Sequence, residues 1–539
     1  YSMSKKDLEF SESPGANGLT EEAGFNFRWV WTNTLTFNRT FNEVHKLNLL
    51  VGTEAVRDGL GRKMLGYRRN YLYEDDVRTW TLDMGEYNNF RRAESDYKGE
   101  YASFGIFGRA NYSFADKYLL TATVRRDGVS RFSKSNRYGT FPSVSAAWRL
   151  SSEEFMKDFE WLDDLKLRIG WGKTGQQDGI SNFAYLASYN VNVNNTDGRY
   201  PLKGVNDSGL LYRPDAYNSK IKWETTTTSN IGLDIALFRN RVSASVDYYY
   251  RKTTDLLNIS TVSAGSNFKN QVLSNIGSLE NRGVEASLTV RPVQTKDWQW
   301  EVSANFTYNK NKITELTGES AVVTTGAIPG TTDQKAQAHA VGRPANSFYV
   351  FQQVYDEAGK PVEGVYVDRN SDGKITDADR YFYKSPAAPY IAGLSSRLQY
   401  RKWDFGFSLR ASFDNYVFNN VEAGFRNVAK RYDSSFSYLQ NATPKSIENN
   451  WQTYECITSD HFVENASFLK LDNVTLGYSF SNWFKGGSYN GLSGRLYLAA
   501  TNVCTFTKYS GLDPEVGSGI DSNAYPRPFT LQMGVNINF

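Results

Sequence analysis

The chain has 539 residues with 61 basic against 58 acidic side chains, a formal charge of +3, and no long run of one sign. A nucleic-acid partner therefore has no electrostatic footprint here. Mean hydropathy is −0.54 and no apolar run approaches the roughly 18 residues of a membrane helix, which excludes helical insertion but not a barrel, where only every second residue meets lipid.

Alternating segments are predicted, in chain order, near 25–38, 46–57, 102–114, 118–127, 141–150, 163–174, 223–237, 242–252, 280–291, 298–309, 391–400, 404–413, 466–480, 493–503 and 528–539. Short spacers such as Ala115-Asp116-Lys117, Phe238-Arg-Asn-Arg241 and Arg401-Lys-Trp-Asp404 join some of them, whereas 58–101, 175–222, 310–390 and 414–465 are long and polar. Outer-membrane barrels segregate loop length by side, with short periplasmic turns and long extracellular loops. The expected fold is all-β: a transmembrane antiparallel barrel contributing about 15 strands, with no Pro/Gly/Ser-rich linker to divide it. Aromatic content is 15%, with 35 Tyr, 33 Phe and 12 Trp, and barrels use such rings in girdles at both interfaces. Residues 1–24 are expected in an extracellular loop and 25–539 in the barrel. Residues 151–162 (SSEEFMKDFEWL) predict a short capped helix on the periplasmic side.

The last strand alternates without a fault. Phe529, Leu531, Met533, Val535, Ile537 and Phe539 share one face, and Thr530, Gln532, Gly534, Asn536 and Asn538 the other, as lipid outside and a polar lumen inside demand. Phe539 is the expected signal to the barrel-assembly machinery, and outer-membrane lipid is the expected solvent. The first residues, Tyr1-Ser-Met-Ser-Lys-Lys-Asp-Leu, lack an apolar signal core, so the chain is read as a processed chain or a fragment. Cys456 and Cys504 are compatible with one disulfide or with two free thiols.

The sharpest local motif is 368–379, DRNSDGKITDAD. It follows the EF-hand register: Asp368, Asn370 and Asp372 at positions 1, 3 and 5, Gly373 at the sharp turn, the Lys374 carbonyl at 7, Thr376 at 9 and Asp379 at 12. Hard cations want oxygen ligands from several directions, so Ca²⁺ is expected, with Mg²⁺ as the alternative. Asp in place of the usual bidentate Glu at position 12 departs from the pattern, and a polar turn without an ion is the competing reading. The loop would stiffen 310–390. Enzyme signatures fail: Gly172-Lys173-Thr174 ends like a phosphate-binding loop, but Leu167 stands where the first glycine belongs. His45, His339 and His461 have no paired ligand spacing. There is no G-x-S-x-G elbow. The chain is read as a non-enzyme.

Several stretches resemble the SusC/RagA-like TonB-linked outer-membrane transporters. They are 118–132 (YLLTATVRRDGVSRF), 136–148 (NRYGTFPSVSAAW), 165–176 (LKLRIGWGKTGQ), 222–237 (KWETTTTSNIGLDIAL), 275–285 (NIGSLENRGVE), 305–316 (NFTYNKNKITEL), 466–478 (ASFLKLDNVTLGY) and 508–515 (KYSGLDPE). The resemblance implies active import of glycans or peptides through a 22-stranded barrel filled by a plug. It further implies a SusD-like surface lipoprotein and energy from the TonB complex. No plug and no TonB-contacting motif is found in these residues, so a companion N-terminal chain or segment would supply the plug and about seven strands. An odd number of upstream strands, starting in the periplasm, places Tyr1 outside the cell. A surface binding or adhesion barrel without import, and a passive porin, are the alternative functions.

Overall fold

A computed structural model describes residues 18–538, apart from 70–80, 83–91, 98–99, 188, 193–210, 215, 262–270, 317–321, 330, 332–333, 425–431, 434–437, 440–443, 450, 452–457, 484–491 and 523–524. Residues 1–17, Cys456 and Phe539 thus lie outside the described residues. Fifteen strands form one sheet in strict chain order. They are β1 (Trp29–Phe41), β2 (His45–Asp58), β3 (Tyr101–Phe114), β4 (Tyr118–Val129), β5 (Tyr138–Arg149), β6 (Leu162–Gln176), β7 (Glu224–Leu237) and β8 (Val242–Thr254). They continue as β9 (Ser278–Gln294), β10 (Trp298–Glu315), β11 (Tyr390–Tyr400), β12 (Trp403–Phe413), β13 (Phe468–Trp483), β14 (Leu492–Thr507) and β15 (Thr530–Asn538). Each pairs antiparallel with its chain neighbours, and β1 and β15 pair on one side only among the described residues.

Period-two alternation explains why these residues form this wall. Register carries one apolar row across neighbouring strands: Leu167 faces Leu233, Leu233 faces Val246, and Val246 faces Ala286. The intervening residues build the opposite, polar face, where Arg168 bridges Asp234 (2.8 Å) on β7 and Asp247 (2.9 Å) on β8. A one-residue slip would exchange the faces along a whole strand and put these charges into lipid, so the register is strongly specified.

Short connections lie at one end: 42–44, 115–117, 150–161, 238–241, 295–297 and 401–402. The tightest use left-handed backbone, at Asn42, Glu43, Ala115, Asp116, Phe238, Arg239, Asn240 and Arg401, which matches the twist of the flanking strands. Rings touch in series beside them. His45 packs on Phe114 (4.9 Å), Phe114 on Tyr118 (6.2 Å) and Tyr118 on Trp148 (6.2 Å). Trp298 packs on Tyr400 (4.1 Å) and Trp403 on Tyr478 (4.8 Å). They form the expected interfacial girdle.

Two local expectations are corrected. The first barrel strand begins at Trp29 rather than near 25, because Gly18–Phe25 is a separate strand paired with Arg62–Arg69 beyond the wall. Gly61 allows that close approach; a Cβ there would stand 2.1 Å from the Phe25 carbonyl oxygen. Residues 151–162 hold no capped helix but two single 3₁₀ turns, Leu150–Ser152 and Glu154–Met156. The groups expected to cap are engaged elsewhere: the Ser151 hydroxyl donates to Asp164 (2.8 Å), while Glu153 accepts from Lys117, Tyr118 and Trp148.

Candidate functional site

The long connections at the other end do not hang free of one another. Segments 316–389, 414–467 and 508–529 meet in one apolar core containing Ile328, Phe348, Val350, Phe418, Phe462 and Ile520. Phe348, Val350 and Phe418 are fully buried, so these connections form one packed unit above the barrel mouth. Trp451 and Phe462 flank His461, whose imidazole lies 3.2 Å from the Tyr355 hydroxyl. Burial pushes the His461 pKa down, and the Lys445 charge adds to this.

A charge cluster fastens that unit to the polar face of the barrel. Lys470 on β13 is almost fully buried and reaches Asp513 (2.8 Å) and Glu515 (2.6 Å) of segment 508–529. Arg410 on β12 bonds both Asp472 and Glu515, and Arg527 bonds Asp513 (2.8 Å) and Glu515 (3.0 Å). Burial alone would raise the Glu515 carboxyl, but hydrogen bonds from Arg410 and Lys470 outweigh it and hold the group at about 2. Asp472 joins because register shifts between Leu471 and Asn473. Sequence alternation puts Arg410 and Lys470 on the inner face; nothing in it shows that the KYSGLDPE stretch returns to meet them.

Around 368–379 the structure brings Asp368, Asn370 and Asp372 to one turn. The backbone N–H of Gly373 donates to Asp368 (2.8 Å), that of Asp372 to Asn370 (3.0 Å), and that of Lys374 to Asp372 (2.8 Å). Asp379 is fully buried and accepts from the backbone of Arg369 (2.9 Å) and Thr376 (2.8 Å). These bonds, that from Thr376 foremost, hold its carboxyl below the usual range. Thr376 and Asp379 make a capping box, which Thr followed three residues later by an acid signals in the sequence. Among the described residues no three His, Cys, Asp or Glu side chains are grouped to hold a metal ion. Of the remaining candidates, His45 belongs to the girdle, His339 lies 2.8 Å from Asn346, and Cys504 on β14 is a free thiol.

A chain-ordered antiparallel wall, with an apolar outer face, an ion-paired inner face and connections segregated by length, defines an outer-membrane β-barrel. The chain belongs to the TonB dependent receptor-like, beta-barrel family, whose model matches residues 5–503. It is 46% identical over 452 residues to the TonB-dependent receptor SusC of Bacteroides thetaiotaomicron, covering 83% of this chain and 45% of that protein. It is 31% identical over 557 residues to the TonB-dependent receptor P3 of Formosa agariphila, covering 97% of this chain and 54% of that one. Among solved structures, that of the RagAB peptide transporter aligns with a TM-score of 0.79 at 27% identity, covering 97% of this chain and 56% of the other. The chain spans about half the length of the curated relatives it matches.

Proposed function

We propose that this chain is the C-terminal barrel portion of an outer-membrane active importer of glycans or peptides, working by transport rather than catalysis. The observation that carries the reading is the match along nearly the whole chain to a structure described as a peptide transporter, together with 46% identity to SusC. That β1 and β15 each pair on one side only among the described residues supports it further. Unpaired N–H and C=O groups are not tolerated in lipid, so further strands, about seven for a plugged 22-stranded ring, must close the wall. In this reading a companion segment brings those strands, the plug and the contact with TonB, and a SusD-like lipoprotein covers the loop unit. The long connections, including 1–24, face outward. The test is growth and uptake on defined oligosaccharides and peptides after deletion of the gene, with and without collapse of the proton-motive force. Energy-dependent uptake that vanishes on deletion supports import. Energy-independent uptake indicates a porin, and surface binding without uptake an adhesion barrel.

Two local roles go with this reading. Loop 368–379 takes Ca²⁺, or Mg²⁺, through oxygens of Asp368, Asn370, Asp372, Lys374, Thr376 and Asp379. What supports it is the oxygen spacing, and a carboxylate oxygen that accepts one N–H keeps a lone pair for an ion. Calcium titration by calorimetry, repeated on Asp372→Ala, checks it; an identical null titration in both counts against it. Phe539 serves barrel assembly, and deleting it should lower outer-membrane abundance.

A further inference from the structure

The outward face of β6 to β10 changes character abruptly toward the long-connection end. One registered row is apolar or aromatic: Ile169, Ile231, Tyr248, Val284 and Tyr308. The next row outward is Trp171, Ser229, Tyr250, Arg282 and Lys310, and the one beyond is Lys173, Thr227, Lys252, Glu280 and Lys312. All share the lipid-facing side, because each lies two residues further along its strand than the row before. Five cations therefore occupy two adjacent rows on neighbouring strands, roughly 5 Å apart across strands and 7 Å along them.

These cations are exposed, and none forms an ion pair among the described residues. Glu280 is the one acid in the two rows, and its carboxylate takes a hydrogen bond from the Tyr250 hydroxyl (2.9 Å). Arg282 and Lys310 stand directly opposite each other, an arrangement of like charges that is unfavourable unless an anion lies between them. At the short-turn end, Lys46 on the inner face and Lys117 and Arg401 in the turns find acids, Asp116 (2.6 Å), Glu153 (3.0 Å) and Asp297 (3.4 Å) respectively. Unpaired cations in and just beyond a row that holds Trp171 and Tyr250 stand where headgroups begin.

We propose that Lys173, Lys252, Arg282, Lys310 and Lys312 form a docking surface for the phosphate groups of a phosphorylated glycolipid in the outer leaflet. Arg and Lys supply the donors that phosphate oxygens accept, while Trp171 and Tyr250 pack at the boundary between acyl chain and sugar. The surface lies outside the lumen and rests on the reading that the long connections face outward.

The test uses the full-length protein purified from outer membranes. Its thermal stability is titrated with monophosphorylated lipid A, with the dephosphorylated glycolipid and with inorganic phosphate, for the parent and for K252Q/R282Q/K310Q. The expected result is stabilisation by the phosphorylated glycolipid alone, weakened at least tenfold in the triple variant and restored in K252R/R282K/K310R. Equal stabilisation by the dephosphorylated lipid, equal stabilisation by inorganic phosphate, or an unchanged triple variant would overturn the proposal. Orientation is read separately, by labelling Ser371→Cys with an impermeant maleimide on intact cells that lack the covering lipoprotein, against the unsubstituted parent. Labelling supports the outward reading; its absence overturns that reading and the outer-leaflet assignment with it, whatever the titration gives.

Discussion

At the short-turn end of the barrel, order is local: tight turns with left-handed backbone, rings packed along the chain order, and cations matched to nearby acids. At the long-connection end, order comes from contacts between segments far apart in the chain, with Phe348, Phe418, Phe462 and Ile520 meeting in one core. The first end is held by many small terms that depend on register. The second depends on a few large buried side chains and one charge cluster, so it should fail cooperatively and independently of the wall.

The sharpest break should come from Phe462→Ala. The ring is 1% exposed and packs against Phe418 (6.1 Å) and Trp451 (5.9 Å), so its removal should cost about 3–5 kcal/mol of local stability. Hydrogen exchange followed by mass spectrometry should show faster exchange at Ser347–Val350 and Val463–Asn465, with β7 and β8 unchanged. Equal acceleration in β7 and β8 would mean that the loop unit and the wall unfold as one.

Acid should separate the two devices within the long end. His461 has a lowered pKa, so the native state disfavours its proton. Its contribution is complete above the ordinary value near 6.5 and is eroded as pH falls below it. Glu515 also has a lowered pKa, at about 2, so its contribution is complete above the ordinary glutamate value of about 4.3 and is lost only as pH falls toward 2. From pH 7.5 to 5, protection relative to the intrinsic exchange rate should fall around Tyr355 and Phe462 while 508–522 keeps its protection. His461→Phe should abolish the first change. Loosening of 508–522 over that range would show that Glu515 is not the group that holds it.

The same division decides what the sequence makes legible. Each of the fifteen strands overlaps a segment that alternation predicts, because lipid on one side and polar groups on the other write a period of two into every span. Trp29 and the 3₁₀ turns after Leu150 deviate because pairing with Arg62–Arg69 and the hydrogen bonds of Glu153 depend on partners across the fold. The loop core leaves no periodic trace. Phe348 sits in a four-residue strand, Ser347–Val350, and Phe462 in a single 3₁₀ turn, both too short to show a period, and Lys470 reads as an ordinary inner-face cation until Asp513 and Glu515 are placed on it.

The smallest expected effect tests the short end by itself. Trp298 and Tyr400 face each other directly across β10 and β11, with centroids 4.1 Å apart. Both are partly exposed, so their pairing is worth about 0.5–1.5 kcal/mol beyond area burial. Trp298→Leu and Tyr400→Leu, alone and together, form a double-mutant cycle read from urea unfolding of the barrel in lipid vesicles. The expected coupling is near 1 kcal/mol, with no change in hydrogen exchange at Ser347–Val350. Zero coupling would mean that each ring contributes only through its own contact with the membrane interface. Coupling together with loosening of the loop core would erase the distinction between the two ends, since a contact beside the tightest turns would then be stabilising the opposite rim.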